Sequence, residues 1–318
     1  MPDFYNPNAP VGPNNPGAPP RGPREWPTWL AIGGAWLLAR LPWPLQRALG
    51  RVLGSLLRVA LRDRRHIAQR NLELCFPELD PAARASLLRE HFAALGTSVF
   101  EFARAWWGSV APLRRGLQIE GLEHLRTALA AGKGVIVVSG HFTTLEVCGR
   151  LLCDHVPLAG MYRPHREGAM EWSVKRGRLR YAAAMFTKQE LRPAVKHLKA
   201  GGLLWYAPDQ DPSRGDTVFV PFFGRPAHSL TSTHQLARLS GAAVIAFQHA
   251  RRDDGGYTLR LWPAFADFPS KDATADTTTV MAAIEEMARA TPAQYLWIHR
   301  RFKRQPDGNS PYREGAGR

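Results

Sequence analysis

Hydrophobic and polar positions follow three different rhythms along this chain. The first dominates Trp26 to Leu41, WPTWLAIGGAWLLARL, which is apolar on every side. About 14 residues precede Arg40, against the roughly 20 of a membrane-crossing helix. Extension through Trp43-Pro44-Leu45 requires Arg40 to snorkel. Trp26, Trp29, Trp36 and Trp43 suit the aromatic belt at a membrane–water boundary. The run predicts membrane attachment over residues 26–45, as a single span or as a helix lying in the interface. A signal peptide is disfavoured by the long Pro-rich leader before it.

The second rhythm is helical. Arg47, Arg51, Arg58, Arg62, Arg64 and Arg65 recur among Leu and Val, the pattern of a basic amphipathic helix for anionic lipid. If the preceding run spans, the same arginines place everything C-terminal of it in the cytoplasm. A helical pattern continues from Asn71 to Trp107, punctuated by Pro77 and Pro81, with Asp80 as a fitting N-cap.

The third rhythm alternates. Strand-like runs at Gly134–Val138, Pro157–Tyr162, Gly202–Ala207, Ala242–Gln248 and Tyr257–Trp262 are separated by helical patterns at about 142–153, 168–182, 189–200 and 229–240, with a last near 276–290. This predicts an α/β fold: a mixed, largely parallel central sheet flanked by helices, behind an N-terminal membrane-anchoring helical segment. The expected divisions are a disordered Pro/Gly-rich tail over 1–25, the anchor helix over 26–45, an amphipathic helical segment over 46–110, the α/β domain over 111–306 and a flexible tail over 307–318. No internal repeat is visible.

Charge adds an expectation about partners. The formal net charge is +15, so acidic partners are expected: anionic lipid, an acidic carrier protein or nucleic acid. No nucleic-acid recognition motif accompanies it. Cys75, Cys148 and Cys153 form no C-x-x-C pair, and an odd count argues for buried thiols rather than a disulfide framework.

The chemistry concentrates at Val135–Glu146. A β-branched run ends in Ser139-Gly140 and presents His141, and Glu146 follows in the spacing H-x-x-x-x-E. Open α/β sheets place ligands outside the carboxyl ends of their strands. An imidazole there can act as a base, and a carboxylate on its second nitrogen fixes the tautomer. Five residues apart is not a same-face spacing on one helix, so the pair meets only if His141 lies in the turn before it. Ser139 lacks the G-x-S-x-G elbow of a nucleophile. Further clusters follow: Tyr162-Arg163-Pro164, Arg176-Gly177-Arg178-Leu179-Arg180, Trp205–Asp211, Phe219–Gly224 and Gln294–Lys303. Asp209 and Asp211 follow a strand. They invite a metal reading with His141 and Glu146, but capping after Pro208 is the simpler role.

Together these motifs resemble, in order and over about residues 26–306, the late acyltransferases of lipid A biosynthesis, the lauroyl/myristoyl transferase family of Gram-negative bacteria. R-N-L-E-L-C-F-P-E at Arg70–Glu78, G-H-F at Gly140–Phe142, Y-R-P, W-Y-A-P-D-x-D, F-V-P-F-F-G and Q-Y-x-W-x-H-R-R-F-K carry the resemblance. It implies a glycerolipid-acyltransferase-like fold on the cytoplasmic face of the bacterial inner membrane. It also implies transfer of a fatty acyl group from acyl carrier protein to a hydroxyl of a phosphorylated lipid A precursor, with no cofactor and no metal. By motif match His141 is the general base and Glu146 its partner. Arg163 is a candidate oxyanion or phosphate donor, and Arg178, Arg180, Asp209 and Asp211 are candidate substrate contacts. The alternatives are an acyltransferase for another glycolipid or an ornithine lipid, and a non-catalytic membrane protein that binds lipid or carrier.

Overall fold

The computed structural model describes residues 12–312; residues 1–11 and 313–318 lie outside the described residues. Four helices open the chain: α1 (Trp26–Leu38), α2 (Trp43–Ala60), α3 (Arg62–Cys75) and α4 (Pro81–Trp107). The α/β part follows as α5 (Ala111–Arg114), β1 (Leu117–Glu120), α6 (Leu122–Ala130), β2 (Val135–Val138), α7 (Leu145–Leu152), β3 (Leu158–Tyr162), α8 (Gly168–Leu179), β4 (Ala184–Thr187), α9 (Leu191–Lys199) and β5 (Leu203–Tyr206). It ends with the hairpin β6 (Thr217–Phe222) and β7 (Arg225–Leu230), then α10 (Ser232–Ser240), β8 (Ala243–Arg251), β9 (Tyr257–Ala264) and α11 (Ala273–Ala290).

Seven strands form one sheet in the order β1-β9-β8-β2-β5-β3-β4. Every neighbouring pair is parallel except β8 with β9. The mixed, largely parallel sheet expected from the alternation is therefore present. Helices on both faces explain why its central strands carry no polar alternation. Val135 and Val137 pack with Leu203, Trp205, Ile245 and Phe247 on one face. Ile136 and Val138 pack with Leu204, Val244 and Ala246 on the other. The edge strands β1 and β4 and the hairpin were not expected; LQIE and AMFT lack the β-branched run that marks β2, and Pro221 and Pro226 lie paired in the hairpin.

The N-terminal expectations need three corrections. The segment anticipated as a disordered tail makes defined contacts from residue 12 onward. The Pro13 carbonyl accepts from Met185 N–H at the free edge of β4, at 2.8 Å. Trp172 Nε1 donates to the Gly17 carbonyl, and Ala169 N–H donates to Glu25. Next, the anchor is not one helix over 26–45. It breaks between α1 and α2, where Pro42 and Pro44 disfavour helical backbone before them and Gln46 and Arg104 bind the freed Leu38 and Leu41 carbonyls. Among the described residues no helix is long and apolar enough to cross a membrane. Finally, residues 307–312 of the expected flexible tail are held: Tyr312 is buried and its hydroxyl meets Asn71 and the Phe302 N–H.

Helix α2 carries two faces. Trp43, Gln46, Gly50 and Gly54 are buried, and the last two press against α4. A Cβ on Gly54 would lie 2.2 Å from the Phe92 carbonyl, and one on Gly96 would lie 2.2 Å from the Gly50 carbonyl. Only glycines allow so close an approach of two backbones. Leu45, Leu49, Val52, Leu56 and Val59, at alternating spacings of four and three, remain exposed.

Candidate active site

The β2–β5 register builds the centre. Val138 stands beside Tyr206, and three residues beyond each lie His141 and Asp209. Two in-register parallel strands thus deliver an imidazole and a carboxylate to the same edge of the sheet. Gly140 permits the turn between: a Cβ there would fall 2.8 Å from Ile284 and 3.0 Å from the Phe142 ring. Helix α7 starts at Leu145, later than the apolar pattern implied. The reason is tertiary: Phe142 bridges Tyr295, and Thr143 N–H donates to the Gln294 carbonyl.

His141 Nδ1 lies 2.6 Å from Asp209 Oδ1, and the His141 backbone N–H donates to Oδ2 at 2.9 Å. The Tyr295 hydroxyl donates to Oδ2 as well, at 2.9 Å. Asp209 is 1% exposed at its side chain, whereas 32% of the His141 side chain is open. With Nδ1 held, Nε2 is the nitrogen left to face an incoming group. Burial alone would raise the Asp209 carboxyl, but the adjoining imidazole and three hydrogen bonds hold it below the usual carboxylate range. Burial opposes charge on His141, yet the Asp209 carboxylate outweighs it and the imidazole is more basic than an ordinary histidine.

Glu146 does not fill the role expected of it. Its carboxylate accepts from Trp106 Nε1 at 2.8 Å and from Nε of Arg178 at 3.2 Å, and Arg178 Nη2 completes a fork on it. No ion pair or hydrogen bond joins it to His141; in the first turn of α7 it points to α4 and α8 instead. The carboxylate that orients the ring is Asp209, placed among substrate contacts by the sequence reading. The other expected substrate contacts also separate. Arg178 is committed to Glu146, and Arg180 donates to the Trp106 carbonyl at 2.7 Å, ending α4. Asp211 pairs with Arg304 at 3.0 Å and lies 3.3 Å from His228, and its N–H donates to His299. Arg163 is exposed at the carboxyl end of β3 and, among the described residues, makes no ion pair or hydrogen bond. The turn that bears it is pinned by Glu171, which accepts from the Tyr162 hydroxyl and the His165 N–H.

His249 was not anticipated. It is fully buried on β8 behind the turn. Its Nε2 lies 3.1 Å from the Ser139 hydroxyl and its Nδ1 lies 2.9 Å from that of Thr144. Thr144 Oγ1 also donates to the His249 carbonyl, and the Ser139 hydroxyl also reaches the Gly140 carbonyl, so each hydroxyl ties the ring to backbone. One neutral ring thus staples both ends of the 139–144 turn. Burial and the nearby His141 charge lower its basicity to about 3. Its only sequence signal was a His inside an apolar strand, which by itself reads as core. Among the described residues no group of three or more His, Cys, Asp or Glu side chains is disposed to hold a metal ion.

An imidazole–carboxylate pair at the central carboxyl edge of a mostly parallel sheet defines an α/β enzyme architecture whose ligands enter over the strand ends. Residues 20–304 match the family described as bacterial lipid A biosynthesis acyltransferase. The chain is 40% identical to a lipid A biosynthesis palmitoleoyltransferase of Escherichia coli K12, across 91% of this chain and 94% of that protein. It is 38% identical to a lauroyltransferase of the same organism, across 90% and 94%, and 24% identical to its myristoyltransferase, across 92% of each. A 1-acyl-sn-glycerophosphate acyltransferase from Thermotoga maritima is a solved structural neighbour at 13% identity and TM-score 0.38, over 78% of this chain and 97% of its own. The chain belongs to the lipid A biosynthesis acyltransferase family, and acyl transfer in that biosynthesis is its chemistry.

Proposed function

We propose that the protein moves a fatty acyl group from acyl carrier protein to a hydroxyl of a phosphorylated lipid A precursor, with His141 as general base and Asp209 as the group that orients it. The observation that carries this reading is the His141–Asp209 pair, which leaves Nε2 at an open edge. His141 Nε2 takes the hydroxyl proton as the oxygen attacks the thioester carbonyl, and the thiol leaves with that proton when the tetrahedral intermediate collapses. Asp209 holds the tautomer and balances the imidazolium. Arg163 suits the developing oxyanion or a substrate phosphate, because among the described residues it makes no ion pair or hydrogen bond. Glu146 and Arg178 act together as a neutral buried brace between α4, α7 and α8.

Membrane attachment in this proposal is interfacial. The exposed stripe Leu45–Leu49–Val52–Leu56–Val59 on α2, with Trp26, Leu30, Trp36 and Leu37 on α1, is apolar surface that the protein leaves uncovered. Arginines flank it, as suits the cytoplasmic face of the bacterial inner membrane. The acidic carrier and the lipid phosphates would both be drawn by the net positive charge.

A transfer assay with purified protein, lipid A precursor and a panel of acyl carriers of different chain lengths tests the reading. Mass spectrometry is expected to find one added secondary acyl chain. His141→Ala is expected to lower the rate by at least about 100-fold, the scale of a lost general base. Unchanged transfer by that variant would remove His141 from the mechanism.

A further inference from the structure

The β6–β7 hairpin and the segment after α11 enclose a pocket of about 680 Å³ that neither the family match nor the His141 site assigns. Phe219, His228, Arg300, Lys303, Arg304 and Tyr312 line it, and the volume is in the range of ligand clefts. Its charges do not cancel. Arg304 is matched by Asp211, which also neighbours His228. Arg300 and Lys303 are exposed, and among the described residues neither side chain has an ion pair or hydrogen bond. Two uncompensated cations beside a fixed guanidinium describe a receptor for a multiply charged anion, and Arg forks fit phosphate oxygens in particular. Phe219, 40% exposed with its ring centroid 5.2 Å from that of His228, adds an apolar wall. A bare ion needs no such wall, whereas a phosphorylated organic group uses both.

The pocket is tied to the turn that holds the imidazole. Asp211, which pairs with the lining residues Arg304 and His228, lies two residues beyond Asp209 and donates its N–H to His299 Nε2 at 3.0 Å. The 209–211 turn is therefore shared: one carboxylate orients His141, the other fixes the cationic wall.

We infer that this pocket is a phosphate-ester subsite, in which Arg300 and Lys303 hold a substrate phosphate while the reacting part of that substrate lies toward His141. For the identity of the substrate this rests on the acyl-transfer reading; for the binding of phosphate it does not. Two substrates carry the chemistry: the sugar-phosphate headgroup of the acceptor, and the phosphodiester that joins an acyl carrier to its thiol arm.

Two measurements on the full chain decide it. In the first, ³¹P line broadening of inorganic phosphate and of glucosamine 1-phosphate is titrated against the wild type and the Arg300→Glu/Lys303→Glu variant, with thermal melts of both. Both ligands are expected to bind the wild type, with affinity about tenfold or more lower in the variant, as for lost charge-assisted hydrogen bonds. Equal binding by the two proteins overturns the inference. Should the double variant not fold, Arg300→Gln at its exposed position serves in its place. In the second, KM is compared for the phosphorylated precursor, the phosphatase-treated precursor and the acyl carrier. A rise confined to the phosphorylated precursor supports the subsite and assigns it to the headgroup. A rise confined to the carrier supports it and assigns it to the thiol arm. No rise for either overturns it. A wild type that transfers no acyl group would sink the acyl-transfer reading, while the phosphate titration would still judge the pocket.

Discussion

Asp209→Asn is the sharpest test at the scale of single residues. The amide keeps the shape but removes the charge that makes His141 more basic than an ordinary histidine. A base must be neutral to act, so the wild-type acidic limb of kcat/KM is expected above the ordinary histidine value near 6.5. In Asp209→Asn that limb should shift to lower pH, and the plateau should fall by roughly 10²- to 10⁴-fold as the tautomer is lost. Glu146→Gln is expected to leave the limb in place, because its carboxylate engages Trp106 and Arg178 rather than the imidazole. A limb that moves with Glu146 and not with Asp209 would reverse these roles. The residue scale also marks where the sequence misleads. H-x-x-x-x-E is conspicuous because its members are near each other in the chain. The imidazole and carboxylate that meet in the fold lie at 141 and 209, and nothing local announces the pair.

Among the elements, α2 makes the strongest demands. One face needs glycine and the opposite face needs a cover. Ala at Gly96 would gain about 1 kcal/mol in helix propensity, but its Cβ would sit 2.2 Å from one backbone atom and 2.3 Å from another on α2. Backbone cannot rotate aside as a side chain can, so overpacking of about 1–3 kcal/mol or more should win. Gly96→Ala is expected to lower the melting temperature by several degrees; an unchanged melt would mean that α2 and α4 slide freely. On the exposed face, Leu49→Glu with Leu56→Glu should reduce co-sedimentation with phosphatidylglycerol vesicles by at least about tenfold, given about 1.5–3 kcal/mol for each buried Leu. Binding should also weaken with salt. Full retention of binding by that variant would exclude α2 as the lipid-facing element.

For the whole molecule, buried histidines couple folding to pH. His91 is fully buried; Nδ1 donates to the Ala293 carbonyl, Nε2 has no partner, and burial lowers its pKa to about 4. His249 is lowered to about 3. The unfolded chain takes up protons near 6.5, where these rings do not, so each contributes stability that is complete above that pH. The contribution fades as pH falls toward the folded values, by roughly 3 kcal/mol or more per ring. His141 works in the opposite sense: its raised pKa stabilises at low pH, and that share is lost as pH rises through the raised value. His299, lowered to about 4 mainly by burial, acts in the same direction as His91 and His249. Three depressed groups outweigh one elevated group, so the melting temperature should drop between about pH 6.5 and 4. In His91→Phe, with its donor removed from the buried site, the drop should be smaller. A melting temperature independent of pH over that range would contradict the buried neutral rings.

The sequence by itself determined whatever depends on local period and composition. The strands β2, β3, β5, β8 and β9 were legible because their runs are rich in apolar residues and flanked by turn residues. The positive charge, the apolar stretch at Trp26–Leu41, the family and the place of His141 just past a strand end were legible too. Tertiary structure alone decided the rest, because it turned on partners distant in the chain. The β2–β5 register chose Asp209 over Glu146. Gln46 and Arg104 fixed the break between α1 and α2, and contacts with Met185 and Trp172 gave a Pro-rich segment a definite place. A hydrogen bond or an ion pair depends on which groups arrive at the same point, and that is a property of the packed chain rather than of spacing along it.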